Sequence, residues 1–173
     1  MELWQLMPQG VRINALAIKL TEFTKLSHLE KCWRICEINV FNPDDEKIKE
    51  LFLQNFFIIN IFICDFAFFV KFGNTVTRRR LSHSFLERTV FQIPDIEFKN
   101  HAQKILESLG RQIQSTESEK EFDNKVAEIF LRLVNQENNK DLKNSIAVIC
   151  FSTFHDICSL LDESIRIGHL FLK

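Results

Sequence analysis

The sequence has few of the residues that break helices and form tight turns, with four glycines and three prolines in 173 residues, and it also has no tyrosine. A β-sandwich or β-barrel needs many tight turns, which depend on glycine and proline, so this shortage favours helices. The isolated glycines also exclude a glycine-rich phosphate-binding loop. A net charge of −1 gives no overall attraction to nucleic acid, and we expect no nucleic-acid partner.

Apolar residues are abundant: 46% of the chain is hydrophobic, and 18 residues are phenylalanine. This content is enough for one domain with a packed core, and it excludes wholesale disorder. Phenylalanine fills cores but supplies no polar group for chemistry. The fold class predicted from composition and periodicity is all-α, a helical bundle around a central hydrophobic helix.

The five cysteines, at positions 32, 36, 64, 150 and 158, follow no regular disulfide pattern, so we expect buried, reduced thiols. Cys32 and Cys36 lie one helical turn apart near His28 and could share a metal ion, but no fourth ligand is evident. The histidines have no metal-binding spacing, and a thiol on an apolar helix face has a raised pKa. The sequence therefore predicts a protein that is not an enzyme and has no cofactor.

The first 63 residues are irregularly patterned, and we interpret them as an N-terminal extension to a domain formed by residues 64–173. A helix is expected from Ala15 to Ile38, followed by a turn at Asn42-Pro43-Asp44. The basic triplet Arg78–Arg80 is interpreted as a solvated helix end, with contact to phosphate or anionic lipid as the alternative.

The run Leu51–Val70 is the most apolar stretch and is about as long as a membrane span. It nevertheless contains four polar residues: Gln54, Asn55, Asn60 and Asp65. Three interpretations remain open, namely a span, a buried or membrane-peripheral helix, or a stretch that lies outside a natural folding unit. The span would make the protein a small membrane-anchored helical protein.

Three helical segments are expected after Ile93-Pro94-Asp95, because proline disfavours helix at the preceding residue. The first runs from Ile96 to about Gln114, and the second starts near Ser118 with a capping-box pattern. The third, from Asp141 to about Glu163, has apolar residues around much of its axis. This pattern predicts that the third segment is the central helix of the bundle.

The first of these segments carries a motif of apolar residues and one glycine, followed by a basic residue: Ala102, Leu106, Leu109, Gly110, Arg111 and Ile113. It resembles the homology-3 motif of the Bcl-2 family of apoptosis regulators, in which an Asp stands where this chain has Arg111. Residues 146–154 resemble the family's first homology region. Asn144 stands where that region has the arginine that pairs with a ligand's Asp, and the later Trp-containing region is absent.

The resemblance implies a partial Bcl-2-like domain over residues 64–173, which regulates apoptosis by binding amphipathic helices of other apoptosis regulators in a hydrophobic groove. The residues expected in the groove or core are Phe122, Val126, Ile129, Phe130 and Leu133, and Asn144 is expected in the groove. It also implies a cytoplasmic location, with the mitochondrial outer membrane or another intracellular membrane as the alternative. A helical adaptor with a different partner is the alternative.

Overall fold

A computed structural model describes residues 9–40, 46–113 and 119–166, and the regular elements in these ranges are helical. The all-α prediction is thus confirmed for the part of the chain that is described. The helices are α1 Gln9–Leu20, α2 Leu26–Val40, α3 Glu46–Phe72, α4 Val76–Arg88, α5 Ile96–Ile113, α6 Glu119–Leu133 and α7 Lys140–Arg166, with short 3-10 turns at Thr21–Thr24 and Val90–Gln92. The predicted turn at 42–44 and the cap at Ser118 lie outside the described residues.

Local signals in the sequence account for several helix ends. Gly73 closes α3 with a φ of +54°, a conformation that glycine adopts without steric cost. The Asp95 carboxylate accepts a hydrogen bond from the Glu97 backbone N–H at 2.8 Å, which caps α5. The Asn139 side chain accepts one from the Leu142 backbone N–H at 3.0 Å and caps α7 in the same way.

The helix expected from Ala15 to Ile38 is in fact two helices, α1 and α2, separated by the 3-10 turn. Asn60 of α3 holds this turn, since its amide donates to the Phe23 carbonyl at 2.8 Å. The break lets α1 pack on α4 while α2 packs on α3 and α7. A tertiary contact thus stabilises the turn that separates the two helices.

The central helix of the bundle is α3, against which α2, α4, α5, α6 and α7 all pack. Its polar residues Asn55 and Asp65 form hydrogen bonds within the bundle. The Asn55 amide donates to the Leu51 carbonyl at 2.8 Å, and Asp65 accepts hydrogen bonds from Arg78 at 3.1 Å and Ser82 at 2.5 Å. Enclosure by five helices thus accounts for the apolar run without a bilayer.

The prediction that residues 141–163 form the central helix is wrong. One face of α7 packs on α6, α3 and α2, and the opposite face is exposed. Ser152, His155 and Ser159 recur on that outer face at helical spacing, which gives α7 a strip open to solvent. Apolar residues occupy many positions around the axis of α7, but this strip remains polar and exposed.

The domain boundary expected between residues 63 and 64 falls inside helix α3. Described residues on both sides of it belong to one hydrophobic core, which includes Leu16, Trp33, Phe68 and Phe130. Two helices, α3 and α7, are long and apolar enough to cross a membrane by length and composition, which is weak evidence for a span because buried core helices share these properties.

Candidate interaction surface

Most residues expected in a partner groove lie in the core. Phe122, Val126, Ile129 and Phe130 are buried, and Leu133 is half-buried. The Phe122 ring stacks on that of Phe66 with centroids 4.1 Å apart, so this part of α6 is occupied by α3. In this conformation these side chains stabilise the bundle and do not line an open groove. Asn144 is exposed near the start of α7.

The homology-3-like motif also faces inward. Ala102, Leu109 and Ile113 are buried, and Leu106 and Gly110 are half-buried. Helix α5, which carries them, packs on α3 and α6. Arg111 is exposed and pairs with Glu107 one turn earlier at 3.5 Å. The motif therefore serves as the packing face of α5, and a ligand role would require α5 to leave the bundle.

The outer face of α7 carries the most exposed large apolar side chains of that helix. Val148 is 68% exposed and Phe151 is 51% exposed, and the Phe151 ring lies 4.3 Å from the His155 ring. On the neighbouring helix α2, Ile35 is 51% exposed. We call Ile35, Val148 and Phe151 the α2–α7 face.

Side chains that lie near one another across α2 and α7 indicate the relative direction of the two helices. Asp156 is close enough to His28 to raise the pKa of that ring, and Cys32 and Cys36 are close enough to Cys150 to raise the pKa of that thiol. Residue numbers thus increase along α2 in the direction in which they decrease along α7, so the two helices are antiparallel.

The thiols behind this face are poor nucleophiles. All five cysteines are buried and unpaired with one another, as the sequence predicted. Burial raises the pKa of Cys32 to about 11 and that of Cys36 to about 12, and it raises the pKa of Cys64 and Cys150 well above the ordinary value. These thiols are therefore protonated at neutral pH and behave as small hydrophobic side chains.

The metal site considered from the spacing of Cys32 and Cys36 is not assembled in the described residues. The Cys32 sulfur lies 3.7 Å from Nε2 of His28, but no group of three or more His, Cys, Asp or Glu side chains is arranged there to hold a metal ion. Burial lowers the pKa of His28, which favours the neutral ring.

One carboxyl beside the α6–α7 contact has an altered proton affinity. Burial raises the pKa of Asp123 from 3.8 to about 6, and nearby His155 partly opposes this shift. Asp123 is also close enough to Cys150 to raise the pKa of that thiol. The group lies at the edge of the core next to the outer face of α7.

Sequence reasoning did not find the α2–α7 face as a site. A signal was present on α7, because Ser152, His155 and Ser159 mark an outer strip at helical spacing, and Val148 interrupts it as an apolar residue. No comparable signal marks Ile35, whose place depends on how α2 pairs with α7.

No family model matches this chain, and no curated protein or solved structure matches it significantly.

Proposed function

We propose that this protein is a non-catalytic interaction protein whose α2–α7 face binds an amphipathic helix of a partner. The observation that carries the proposal is the set of exposed apolar side chains Ile35, Val148 and Phe151 on two helices that pack on each other. An amphipathic helix presents apolar residues at i, i+3 or i+4, and i+7, a spacing that suits a face of this kind.

The charge beside the face favours a partner helix that carries an acidic residue. Lys31 is exposed and lies one turn before Ile35 on α2. A carboxylate on the bound helix would meet this ammonium group at the rim of the face, where it would contribute to orientation and association rate.

We propose amphipathic helices of the homology-3 type, from apoptosis regulators, as the partner class. This choice follows from the resemblance of residues 102–113 and 146–154 to the Bcl-2 family, whose homology-3 motif contains an Asp. The docking place proposed on the α2–α7 face differs from the groove expected from that resemblance, since Phe122, Val126 and Phe130 are buried.

Fluorescence anisotropy with labelled homology-3 peptides tests the proposal on the full chain. We expect saturable binding, and we expect Phe151→Asp or Val148→Asp to weaken it by about tenfold or more, because loss of an apolar anchor commonly costs over 1 kcal/mol. Ser159→Asp is the matched control, since it adds the same charge to an exposed position of the same helix.

Absence of saturable binding would remove the apoptotic partner class. Equal weakening by Ser159→Asp would instead show that added charge, and not loss of the apolar contact, reduces binding. An unrelated amphipathic helix could bind saturably when homology-3 peptides do not. If Phe151→Asp abolished that binding, the result would support a helical adaptor with a different partner.

A further inference from the structure

The turn between α3 and α4 exposes a second group of apolar side chains, at a distinct place in the fold. Phe69 is 44% exposed and Val76 is 51% exposed, and Val70 is exposed as well. All three lie within four residues of the turn at 73–75. We call these residues, with the basic triplet Arg78–Arg80, the α3–α4 tip.

The tip lies in the longest stretch of the described chain that carries only basic charges. No Asp or Glu occurs between Asp65 and Glu87, whereas this interval contains Lys71 and the triplet Arg78–Arg80. Two of the four cations are neutralised by neighbours: Arg78 pairs with Asp65 at 3.1 Å and Lys71 with Asp162 at 2.7 Å. Arg79 and Arg80 are exposed and form no ion pair among the described residues.

The position of these arginines is unfavourable for the stability of α4. Thr75 caps the helix by accepting a hydrogen bond from the Arg78 backbone N–H at 3.2 Å, so the triplet lies in the first two turns of α4. Cations at a helix N-terminus are repelled by the helix dipole, and α4 has no acidic residue in its first turn. Asp65 offsets this cost for Arg78 but leaves Arg79 and Arg80 uncompensated.

Apolar and cationic groups are interleaved at the tip. The Arg78 guanidinium lies 5.1 Å from the centre of the Phe69 ring, so one charge sits directly over an exposed aromatic face. Val76, Arg79, Arg80 and His83 share the outer side of α4. Side chains of this kind place apolar parts below the headgroups of a bilayer and cations among the phosphates.

We propose that the α3–α4 tip docks the protein on the surface of an anionic membrane. Phe69, Val70 and Val76 enter the interface between headgroups and acyl chains, and Arg79 and Arg80 bind lipid phosphates and carboxylates. The docking is peripheral, since α3 remains enclosed in its bundle. This inference is independent of the α2–α7 face, because the two surfaces share no residue.

Co-sedimentation of the full chain with vesicles tests the docking. Vesicles that contain phosphatidylserine in phosphatidylcholine should bind the protein, vesicles of phosphatidylcholine alone should bind it much less, and added salt should weaken binding. The double variant Arg79→Glu/Arg80→Glu should lower the partition coefficient by at least about tenfold, since each cation near an anionic surface contributes substantially. Val76→Asp should lower it by at least about threefold, because it removes an apolar contact.

The matched control is Lys47→Glu/Lys104→Glu, which makes the same change in formal charge at two positions outside the tip. Lys104 is exposed on α5, and Lys47 is exposed at the opposite end of α3. The tip variants place acidic residues in the first two turns of α4, near the positive end of the helix dipole, so their thermal stability should equal or exceed that of the wild type. Lost binding in a protein at least as stable as wild type then reflects the surface and not the fold.

Four results would overturn the proposal. If the protein stayed in the supernatant with phosphatidylserine vesicles, docking on an anionic membrane would be excluded. If Lys47→Glu/Lys104→Glu lowered vesicle binding as much as the tip variant, the net charge of the protein would explain the loss. Binding to single-stranded RNA in place of vesicles would reassign the basic triplet to nucleic acid. Loss of binding in a chain that ends at Arg166, with Arg79→Glu/Arg80→Glu still bound, would assign docking to residues 167–173.

Discussion

Helices α3 and α7 are alike in sequence statistics and differ in their surroundings. Each has 27 residues, and each is apolar enough to suggest a membrane span. In the most apolar part of α3, 61% of residues are buried, against 44% in α7. Five helices surround α3, whereas α7 keeps an outer strip with Val148 and Phe151. Apolar content therefore does not identify the central helix, and apolar residues left outside the core are available for binding.

The largest difference between the two helices should appear when one phenylalanine is removed from each. Phe56 of α3 is fully buried and packs against Phe52 and Phe130, so Phe56→Ala should lower the free energy of unfolding by about 3–5 kcal/mol. Phe151→Ala on α7 should change it by no more than about 0.5 kcal/mol. Urea denaturation of both variants measures this, and similar losses would contradict the difference in burial.

A smaller effect is expected for the hydrogen bond that links α3 to the turn between α1 and α2. Asn60→Ala removes the donor to the Phe23 carbonyl and leaves space in a buried site, which should cost about 1–3 kcal/mol. Gln54→Ala on the exposed side of the same helix should cost less than about 0.5 kcal/mol. If the two variants unfold at the same urea concentration, Asn60 does not hold the turn.

Wild type and the variant Asp123→Asn should differ in how their stability depends on pH, because Asp123 lies at the α6–α7 contact and titrates there. Because the pKa of Asp123 is about 6 in the fold and 3.8 in the unfolded chain, the folded state binds more protons between these values. Stability supplied by this group is therefore present at low pH and is lost as pH rises towards 6. Asp123→Asn should be more stable than wild type above pH 6, with little difference at pH 4.

The pKa shift of His28 on α2 changes stability with pH in the opposite sense, so Asp123→Asn must be compared with wild type, which has the same His28. Its pKa is lowered by burial, so the stability it supplies is lost as pH falls below the ordinary histidine value of 6.5. Thermal unfolding of wild type and Asp123→Asn at matched pH isolates the carboxyl. A constant difference between the two proteins from pH 4 to pH 7 would contradict the raised pKa of Asp123.

The smallest effect concerns the ion pair that joins the ends of α3 and α7. Lys71 and Asp162 are 2.7 Å apart, but the Asp162 side chain is 58% exposed, so solvent screens the pair. Asp162→Asn should destabilise the protein by no more than about 1 kcal/mol, and high salt should remove the difference. Glu163→Gln at the next, exposed position is the charge control. A loss that persists in high salt would show that the pair is more buried than described.

The sequence predicted helices well where they carry their own signals. Asp95 and Asn139 cap α5 and α7, and apolar spacing defines their bodies, so both were placed to within a few residues. The break between α1 and α2 was missed because no glycine or proline lies between Ala15 and Ile38. Asn60, distant in sequence, holds that break through the Phe23 carbonyl.

The candidate site was less predictable than the helices. Periodicity shows which residues share a face of α7, but it does not show which face another helix will cover. Phe122 and Phe130, which were expected in the groove, are apolar residues at helical spacing, a pattern that both a core and a groove require. In the bundle α3 covers both side chains. The surroundings of Ile35 depend on the packing of α2 on α7, which is a property of the assembled bundle.

The most direct test of the contrast between α3 and α7 is the rate at which introduced thiols react in the native protein. The five native cysteines are buried and should react slowly, which provides the background. Val148→Cys should react nearly as fast as in the unfolded chain, whereas Ala67→Cys, at a fully buried position of α3, should stay protected. Protection of residue 148, or rapid reaction at residue 67, would contradict the account of a closed α3 and an open α7.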